Sequence, residues 1–301
     1  MLHATWNVLV KVSGDPMGTF RRATIVAALV TTPIALGASL IAGRLNLTPA
    51  AAGLAAVSAA LELIYIWLLS AAYQRGELSV VYPIARGSAP LLAVVAGLGL
   101  LGERLAPGQL AGVGLLLVGI LAVTVPQTSG RATVPALLTG VSIAAYSAVD
   151  RVGVRLSTPL IYGWLLISLL AGGLVISMWV AAKLAGRRDS PPATHDDSGR
   201  QLHSPLGGKA LAIGAPVSAT AGPPPVTWRQ AAVIGVFFQG GYLLVLAALS
   251  IAPLSVVAPV RETAVVAVAV WGVWKLHERR GAPLKLLGAG ATLLGVALLA
   301  F

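Results

Sequence analysis

The chain has 301 residues, of which 57% are hydrophobic and only 10% charged, against about 25% charged in an ordinary soluble domain. So few charges cannot cover a water-soluble surface, and apolar runs near the ~20 residues that a bilayer-crossing helix needs fill most of the chain. The formal charge of +11 does not point to nucleic acid, because Lys and Arg gather at span ends and in one polar loop, where topology and anionic lipid account for them. Cysteine is absent, which excludes thiolate chemistry, disulfides and Cys-ligated metals.

The expected fold is therefore all-α and membrane-embedded, with about ten spans. Span 1 is short (Met1 to Val12) and reads as the end of a membrane helix. LHATWNVLVK follows Met1 with no basic region or cleavage site, so either the chain begins inside its first span or the start lies further upstream, and the span length needed favours the second. Then come span 2 (Gly18 to Ala42), span 3 (Ala50 to Tyr73), span 4 (Leu78 to Leu101) and span 5 (Gln109 to Val125). After a break at Pro126 to Arg131 follow span 6 (Val134 to Val152) and span 7 (Leu160 to Leu184). Span 8 (Gln230 to Ser250), span 9 (Leu254 to Trp274) and span 10 (Leu284 to Phe301) complete the chain. Eight or nine spans remain the alternative if the short first one does not insert.

Between spans 7 and 8, Gly186 to Pro225 is rich in Pro, Gly, Ser and charge without periodicity. Such a stretch buries too little apolar surface to fold, and it reads as a disordered loop. His195, Asp196, Asp197 and His203 lie in it, but no helix or strand would hold them as metal ligands.

The two halves share a pattern at a fixed offset. Leu78-Ser79-Val80-Val81 and Pro83 match Leu254-Ser255-Val256-Val257 and Pro259. After a one-residue slip Glu103-Arg104 matches Glu278-Arg279, and then Ala106-Pro107, Gly112 and Gly119 match Ala282-Pro283, Gly288 and Gly295. The starts agree more weakly, Ala4, Trp6 and Lys11 facing Ala144, Tyr146 and Arg151. Two five-span repeats are the simplest account, residues 1–125 and 133–301, the second interrupted by the loop at 186–225. An odd number of spans per repeat inserts the second copy upside down, the plan of many secondary transporters. Most Lys and Arg near span ends, among them Lys11, Arg21, Arg22, Arg75, Arg131 and Lys183, fall on the side of the long loop, whereas Arg44, Arg104, Arg151 and Arg155 fall on the other. The positive-inside rule puts loop 186–225 in the cytoplasm of a chain in the plasma (inner) membrane, with both termini outside.

These residues support a resemblance. The chain resembles the EamA-like branch of the drug/metabolite transporter superfamily, on four stretches: His3-Ala4-Thr5-Trp6-Asn7 with Lys11; Tyr82-Pro83-Ile84-Ala85-Arg86-Gly87 with Gly102-Glu103-Arg104-Leu105; Tyr146 with Asp150; and Arg261-Glu262-Thr263 with Glu278-Arg279. The resemblance covers nearly all of the chain outside the long loop. It implies ten helices in two inverted repeats around a central cavity lined by helices 1, 3, 4, 6, 8 and 9 and opened to each side in turn. It says nothing of the substrate.

The polar intramembrane residues fall on those same spans: His3, Trp6 and Asn7 on span 1; Glu62 and Tyr65 on span 3; Tyr82, Arg86 and Ser88 on span 4; Tyr146 and Asp150 on span 6; Gln239 and Tyr242 on span 8; Arg261 and Glu262 on span 9. Spans 2, 5, 7 and 10 carry almost none. Arg86 near the midplane costs about 2.5 to 3.5 kcal/mol to insert. It therefore faces either a substrate carboxylate or phosphate, or a fixed ion pair with Glu62 or Glu262. Arg261 and Glu262 are neighbours and are expected to point in different directions. Glu62, Asp150 and Glu262 are candidates for proton coupling or for salt bridges. His3 titrates in the same range, with a capping or interfacial place as its alternative.

Pro83 and Pro259 each remove a backbone hydrogen bond inside a span and are candidate hinges. Trp179, Trp228, Trp271 and Trp274 are expected as interface anchors. Glu103-Arg104 and Glu278-Arg279 are expected as solvated pairs at helix ends. Glycines such as Gly112 and Gly288 serve close helix packing or a homodimer contact. No GxxxxGK[ST] stretch occurs, so the chain does not drive transport with an ATPase site of its own. The expected function is a secondary carrier, more exporter than importer, for a small organic metabolite, driven by a proton or substrate gradient; an anionic group on the substrate is one of the two readings that Arg86 leaves open. The carrier needs no cofactor and is not an enzyme. A lipid-modifying membrane enzyme and a non-transporting subunit are the alternatives.

Overall fold

The computed structural model describes residues 15–75, 78–124, 133–188, 226–263 and 282–299. Their helices in chain order are α1 (Pro16–Ile41), α2 (Pro49–Arg75), α3 (Leu78–Gly99), α4 (Pro107–Thr124), α5 (Thr133–Gly153), α6 (Pro159–Arg188), α7 (Trp228–Ile251), α8 (helical over 254–263) and α9 (Ala282–Leu299). Among the described residues no strand forms, apart from an isolated bridge between Leu47 and Ser157. Among the described residues five helices are long and apolar enough to cross a bilayer: Met17–Ile41, Pro49–Ala72, Thr133–Leu156, Pro159–Leu184 and Trp228–Ile251; three shorter apolar ones are Ile84–Gly99, Pro107–Ala122 and Leu287–Leu299.

Seven of these helices begin one or two residues before the apolar runs that mark them in sequence, and α3 and α8 begin with the runs, at Leu78 and Leu254. Hydropathy misses the capping residues that start the coil. Asp15 accepts the Gly18 amide at 2.9 Å ahead of Pro16, and Thr48 accepts the Ala51 amide at 3.1 Å ahead of Pro49. Thr158 accepts the Ile161 amide at 3.3 Å ahead of Pro159. Proline suits the first helical turn because its missing N–H would have no partner there. Thr227 and Gln230 make a reciprocal capping box at the start of α7. At the far end of α3, Gly102 has φ +63°, the left-handed conformation that stops the chain and turns it into the 100–106 loop. The expected disordered stretch starts three residues too early, since Gly186 to Arg188 continue α6; its remainder to residue 225 lies outside the described residues.

The outer surface is apolar. Leu40, Leu100 and Ile251 are 82%, 83% and 86% exposed, a cost that hydrocarbon removes and water does not. Inside, α5 packs against both α2 and α3, α1 packs against α6 and α7, α2 also meets α6, and α4 lies along α9. The α4–α9 seam depends on glycine: a Cβ on Gly112 would fall 2.9 Å from the Gly295 carbonyl oxygen, and a Cβ on Gly119 would meet the Gly288 carbonyl. Glycine therefore lets the two backbones touch. Gly114 and Gly290 have nothing within contact distance.

The connections after α1, α3, α5 and α7 share one end of the bundle. Thr48 donates to the Leu156 carbonyl at 3.3 Å and Ser157 to the Asn46 carbonyl at 2.5 Å, and Arg151 donates to the Leu249 carbonyl. At the opposite end Arg22 donates to the Val226 carbonyl and lies over the Trp228 ring. Trp228 and Trp179 are exposed, as interface anchors should be.

Candidate functional site

Among the described residues the buried Arg86, Glu262, Arg261, Asp150 and their hydroxyl partners form two connected groups, while buried threonines such as Thr24, Thr31 and Thr139 bond to their own helices. In the first, Arg86 of α3 pairs with Glu262 of α8, Nη1 to Oε1 at 3.2 Å, with both side chains almost fully enclosed. Arg261 turns back onto the same carboxylate oxygen, Nε to Oε1 at 3.1 Å, and reaches Ser147 of α5 at 3.3 Å. This differs from the expectation that neighbours on a helix point apart. The arginine side chain is long enough to fold over one residue, and a shared buried carboxylate lowers the cost of doing so. Two guanidiniums thus hold one carboxylate.

The second group centres on Asp150 of α5. Ser58 of α2 donates to its Oδ1 at 2.5 Å, Tyr162 of α6 donates to the same oxygen at 3.0 Å, and Tyr242 of α7 donates to Oδ2. Three hydroxyls satisfy a carboxylate that is 1% exposed. Glu62 is 4% exposed and lies within electrostatic reach of Asp150, Arg261 and the Tyr242 hydroxyl. Its Oε1 has no hydrogen-bond partner, and neither has Oε1 of Gln239. Gln239 instead donates its amide to the Gly163 carbonyl at 3.2 Å. Tyr65 and Tyr146 meet edge to face, centroids 6.1 Å apart. The two groups are joined through α5, where Ser147 and Asp150 are three apart and share a face.

Of the residues singled out in the sequence, Glu62, Tyr65, Arg86, Tyr146, Asp150, Gln239, Tyr242, Arg261 and Glu262 all turn inward and lie in or beside these groups. His3, Trp6 and Asn7 lie outside the described residues. So do the side chains of Tyr82 and Pro83, whose backbone belongs to α3. Pro259 is buried within α8. Ser88 turns its hydroxyl onto the Ile84 carbonyl of its own helix at 2.8 Å. Trp271, Trp274, Glu278-Arg279 and the His195 to His203 cluster also lie outside. Among the described residues no three His, Cys, Asp or Glu side chains come together as a metal site.

Two features escape the sequence. Span 7, expected to be nonpolar inside, supplies Tyr162 to Asp150, since a lone tyrosine in a long apolar helix gives no sign of its direction. Glu103 is not a solvated helix-end residue. Its neighbour Arg104 is exposed, but the Glu103 side chain is 8% exposed. It accepts from the Leu254 amide at 2.6 Å, the Ser255 amide at 2.9 Å, the Ser255 hydroxyl at 2.7 Å and Arg151 Nε at 3.3 Å. Burial pushes this carboxyl up, but the bonds from Ser255, Leu254 and Arg151 outweigh it and hold it below the usual carboxylate range. The first amides of α8 need an acceptor because no preceding turn supplies one.

An all-helical chain with an apolar exterior, several membrane-length helices and an enclosed polar interior is a multi-pass membrane protein. Its sequence matches the EamA-like transporter family over residues 1–125 and 202–301. The chain belongs to that family, within the drug/metabolite transporter superfamily. No protein of curated function matches it in sequence. A solved structure described only as "Crystal structure of protein" superposes with a TM-score of 0.61 at 16% identity, covering 98% of this chain and 94% of the other. That is a likeness of fold.

Proposed function

We propose that the chain is a secondary carrier that exports a small organic metabolite across the plasma (inner) membrane by alternating access, with a proton as the coupling ion. The observation that carries this reading is the enclosed polar network, in which α2, α3, α5, α7 and α8 each contribute a buried charged or hydrogen-bonding side chain. A membrane protein keeps buried charges where a polar solute or ion passes. The pathway is then built from Glu62, Tyr65, Arg86, Tyr146, Asp150, Gln239, Tyr242, Arg261 and Glu262, together with Tyr82 and the span 1 residues His3, Trp6 and Asn7. The guanidiniums attract an anionic group on the substrate, and Pro83 and Pro259 act as hinges.

Ten helices in two inverted repeats, 1–125 and 133–301, complete the reading, and the packing supports it. Gly112 and Gly119 match Gly288 and Gly295 in sequence, and the contacts cross, Gly112 to Gly295 and Gly119 to Gly288, as a twofold axis requires. Likewise α1 on α7 and α2 on α6 are pairs that exchange of the repeats interconverts. Gly114 and Gly290, open on the outside of that seam, offer a place for a homodimer contact. On this reading the segment between α6 and α7 faces the cytoplasm, and the end carrying Arg44, Arg104, Arg151 and Arg155 faces outside, as the positive-inside rule suggests.

A screen of amino acids, organic acids, phosphonates and cationic drugs by thermal stabilisation of the purified chain tests the reading. A substrate raises the unfolding temperature with the logarithm of its concentration over its affinity. Stabilisation by none of these classes, with a stoichiometric subunit co-purifying, would replace the carrier with a non-transporting subunit.

A further inference from the structure

We infer that Glu103, held by Arg151 and by the start of α8, is a gate that closes one mouth of the polar interior; the inference rests on the carrier reading above. One carboxylate ties together four elements at a single end of the bundle. Glu103 comes from the loop after α3, Arg151 from the last turn of α5, and Leu254 and Ser255 from the start of α8, while Arg151 passes on to the Leu249 carbonyl near the end of α7. Arg86 on α3, Tyr242 on α7 and Glu262 on α8 are interior polar residues further along their helices, and on α5 the buried Asp150 stands next to Arg151 itself. The clamp therefore sits over the mouth of the network and not at its side.

A helix cap ordinarily comes from the residue just before its own helix, and travels with that helix. The cap of α8 comes from 151 positions away, so it survives only while the loop after α3 and the start of α8 stay together. The two elements do touch here: a Cβ on Gly97 of α3 would lie 3.2 Å from the Ser255 Cβ. Pulling them apart exposes a carboxylate, a guanidinium and two helix amides, all of which water can satisfy. The net cost of exchanging protein partners for water is small per bond, so the contact is suited to opening and closing. Shut, Glu103 and Arg151 neutralise each other, while the exposed Arg44, Arg104 and Arg155 make this end of the bundle basic. Beneath the clamp, Ser255, Ala258 and Glu262 follow at spacings of three and four along one face of α8. Water admitted past Glu103 would thus meet Ala258, now 2% exposed, before the Arg86–Glu262 pair.

The chain has no cysteine, so Ala258→Cys is a unique reporter of that path. Labelling by a membrane-impermeant maleimide is measured on protein in liposomes. It is slow with Glu103 in place and about tenfold faster once Glu103→Gln removes the charged acceptor, the factor that losing one charge-assisted hydrogen bond implies. Ser255→Ala, which removes only the hydroxyl, gives a smaller rise and decides the matter should Glu103→Gln fail to fold. Fast labelling with Glu103 intact, or a rate that neither substitution changes in folded protein, overturns the gate. Because labelling needs no substrate, a chain that opens here yet carries no metabolite would lose the carrier reading and keep the gate.

Discussion

Arg86 and Glu262 stand at matching places in the two halves of the sequence, eight residues after Leu78 and Leu254, and their side chains meet at 3.2 Å in the protein interior. The halves share a scaffold but carry opposite charges at this point, so the duplicated element makes its own ion pair. Arg261 joins the same carboxylate at 3.1 Å. Glu262 is thereby the shared member, and the three side chains should respond unequally to substitution.

Glu262→Gln leaves two buried guanidiniums facing each other without the carboxylate between them. It should destabilise by about 3–5 kcal/mol, the range for breaking a buried pair from one side. Arg86→Met leaves Glu262 with Arg261 and should cost about 1–3 kcal/mol. Unfolding temperatures of the two purified variants check the order, and a larger loss for Arg86→Met would contradict it.

Asp150 accepts three hydroxyls, so the donors should matter singly less than the acceptor. Tyr162→Phe removes one bond and should cost about 1 kcal/mol. Asp150→Ala strands the buried hydroxyls of Ser58, Tyr162 and Tyr242 together and should cost several times more. Equal losses in a thermal or denaturant series would mean that the network is held elsewhere.

The Glu103 carboxyl lies below its ordinary range when folded. A group with a depressed folded-state pKa contributes stability that is fully present above its unfolded value and lost as pH falls through the folded one. Stability should therefore be flat near neutrality and decline below about pH 4, the ordinary carboxylate value. Part of that decline should vanish in Glu103→Gln, which at neutral pH is less stable by about 1–2 kcal/mol, the worth of a helix cap. A pH series of unfolding temperatures for both proteins reads the difference.

Gly112 and Gly114 lie two residues apart on α4 with opposite surroundings. Gly112→Leu drives a side chain into the Gly295 carbonyl and should cost about 1–3 kcal/mol or prevent folding. Gly114→Leu meets open space within one chain and should leave its expression and unfolding temperature unchanged, while at the proposed dimer contact it shifts the elution profile towards monomer. Size-exclusion profiles of the two variants separate these outcomes.

Span 1 and most of span 9 fall outside the described residues. Hydropathy places spans 2 to 8 where the described helices lie, because a run of apolar residues reports length and environment directly. The same residues said which positions were too costly to face lipid, and Glu62, Arg86, Asp150, Gln239, Tyr242, Arg261 and Glu262 all proved to be interior. What they could not say was which partner each would find. Helical spacing fixes the face of a residue on its own helix but not the rotation of that helix in the bundle. Thus Arg86 was equally compatible with Glu62 and Glu262. Ser58 and Ser147 carry a spacing signal, four residues before Glu62 and three before Asp150. Tyr162 carried no periodic signal. Glu103 escapes a local reading because a charged residue in a short loop normally meets water; its burial follows from the unfilled amides of a helix in the other half, which no local pattern reveals.

Solute counterflow in liposomes containing the purified chain is the most direct test of the carrier. The account predicts saturable accumulation of a labelled small anionic metabolite against unlabelled solute inside, abolished by Arg86→Ala in protein that still inserts and remains monodisperse. No counterflow with any metabolite class, while a known carrier works in parallel, would contradict it, and counterflow untouched by Arg86→Ala would remove Arg86 from the pathway.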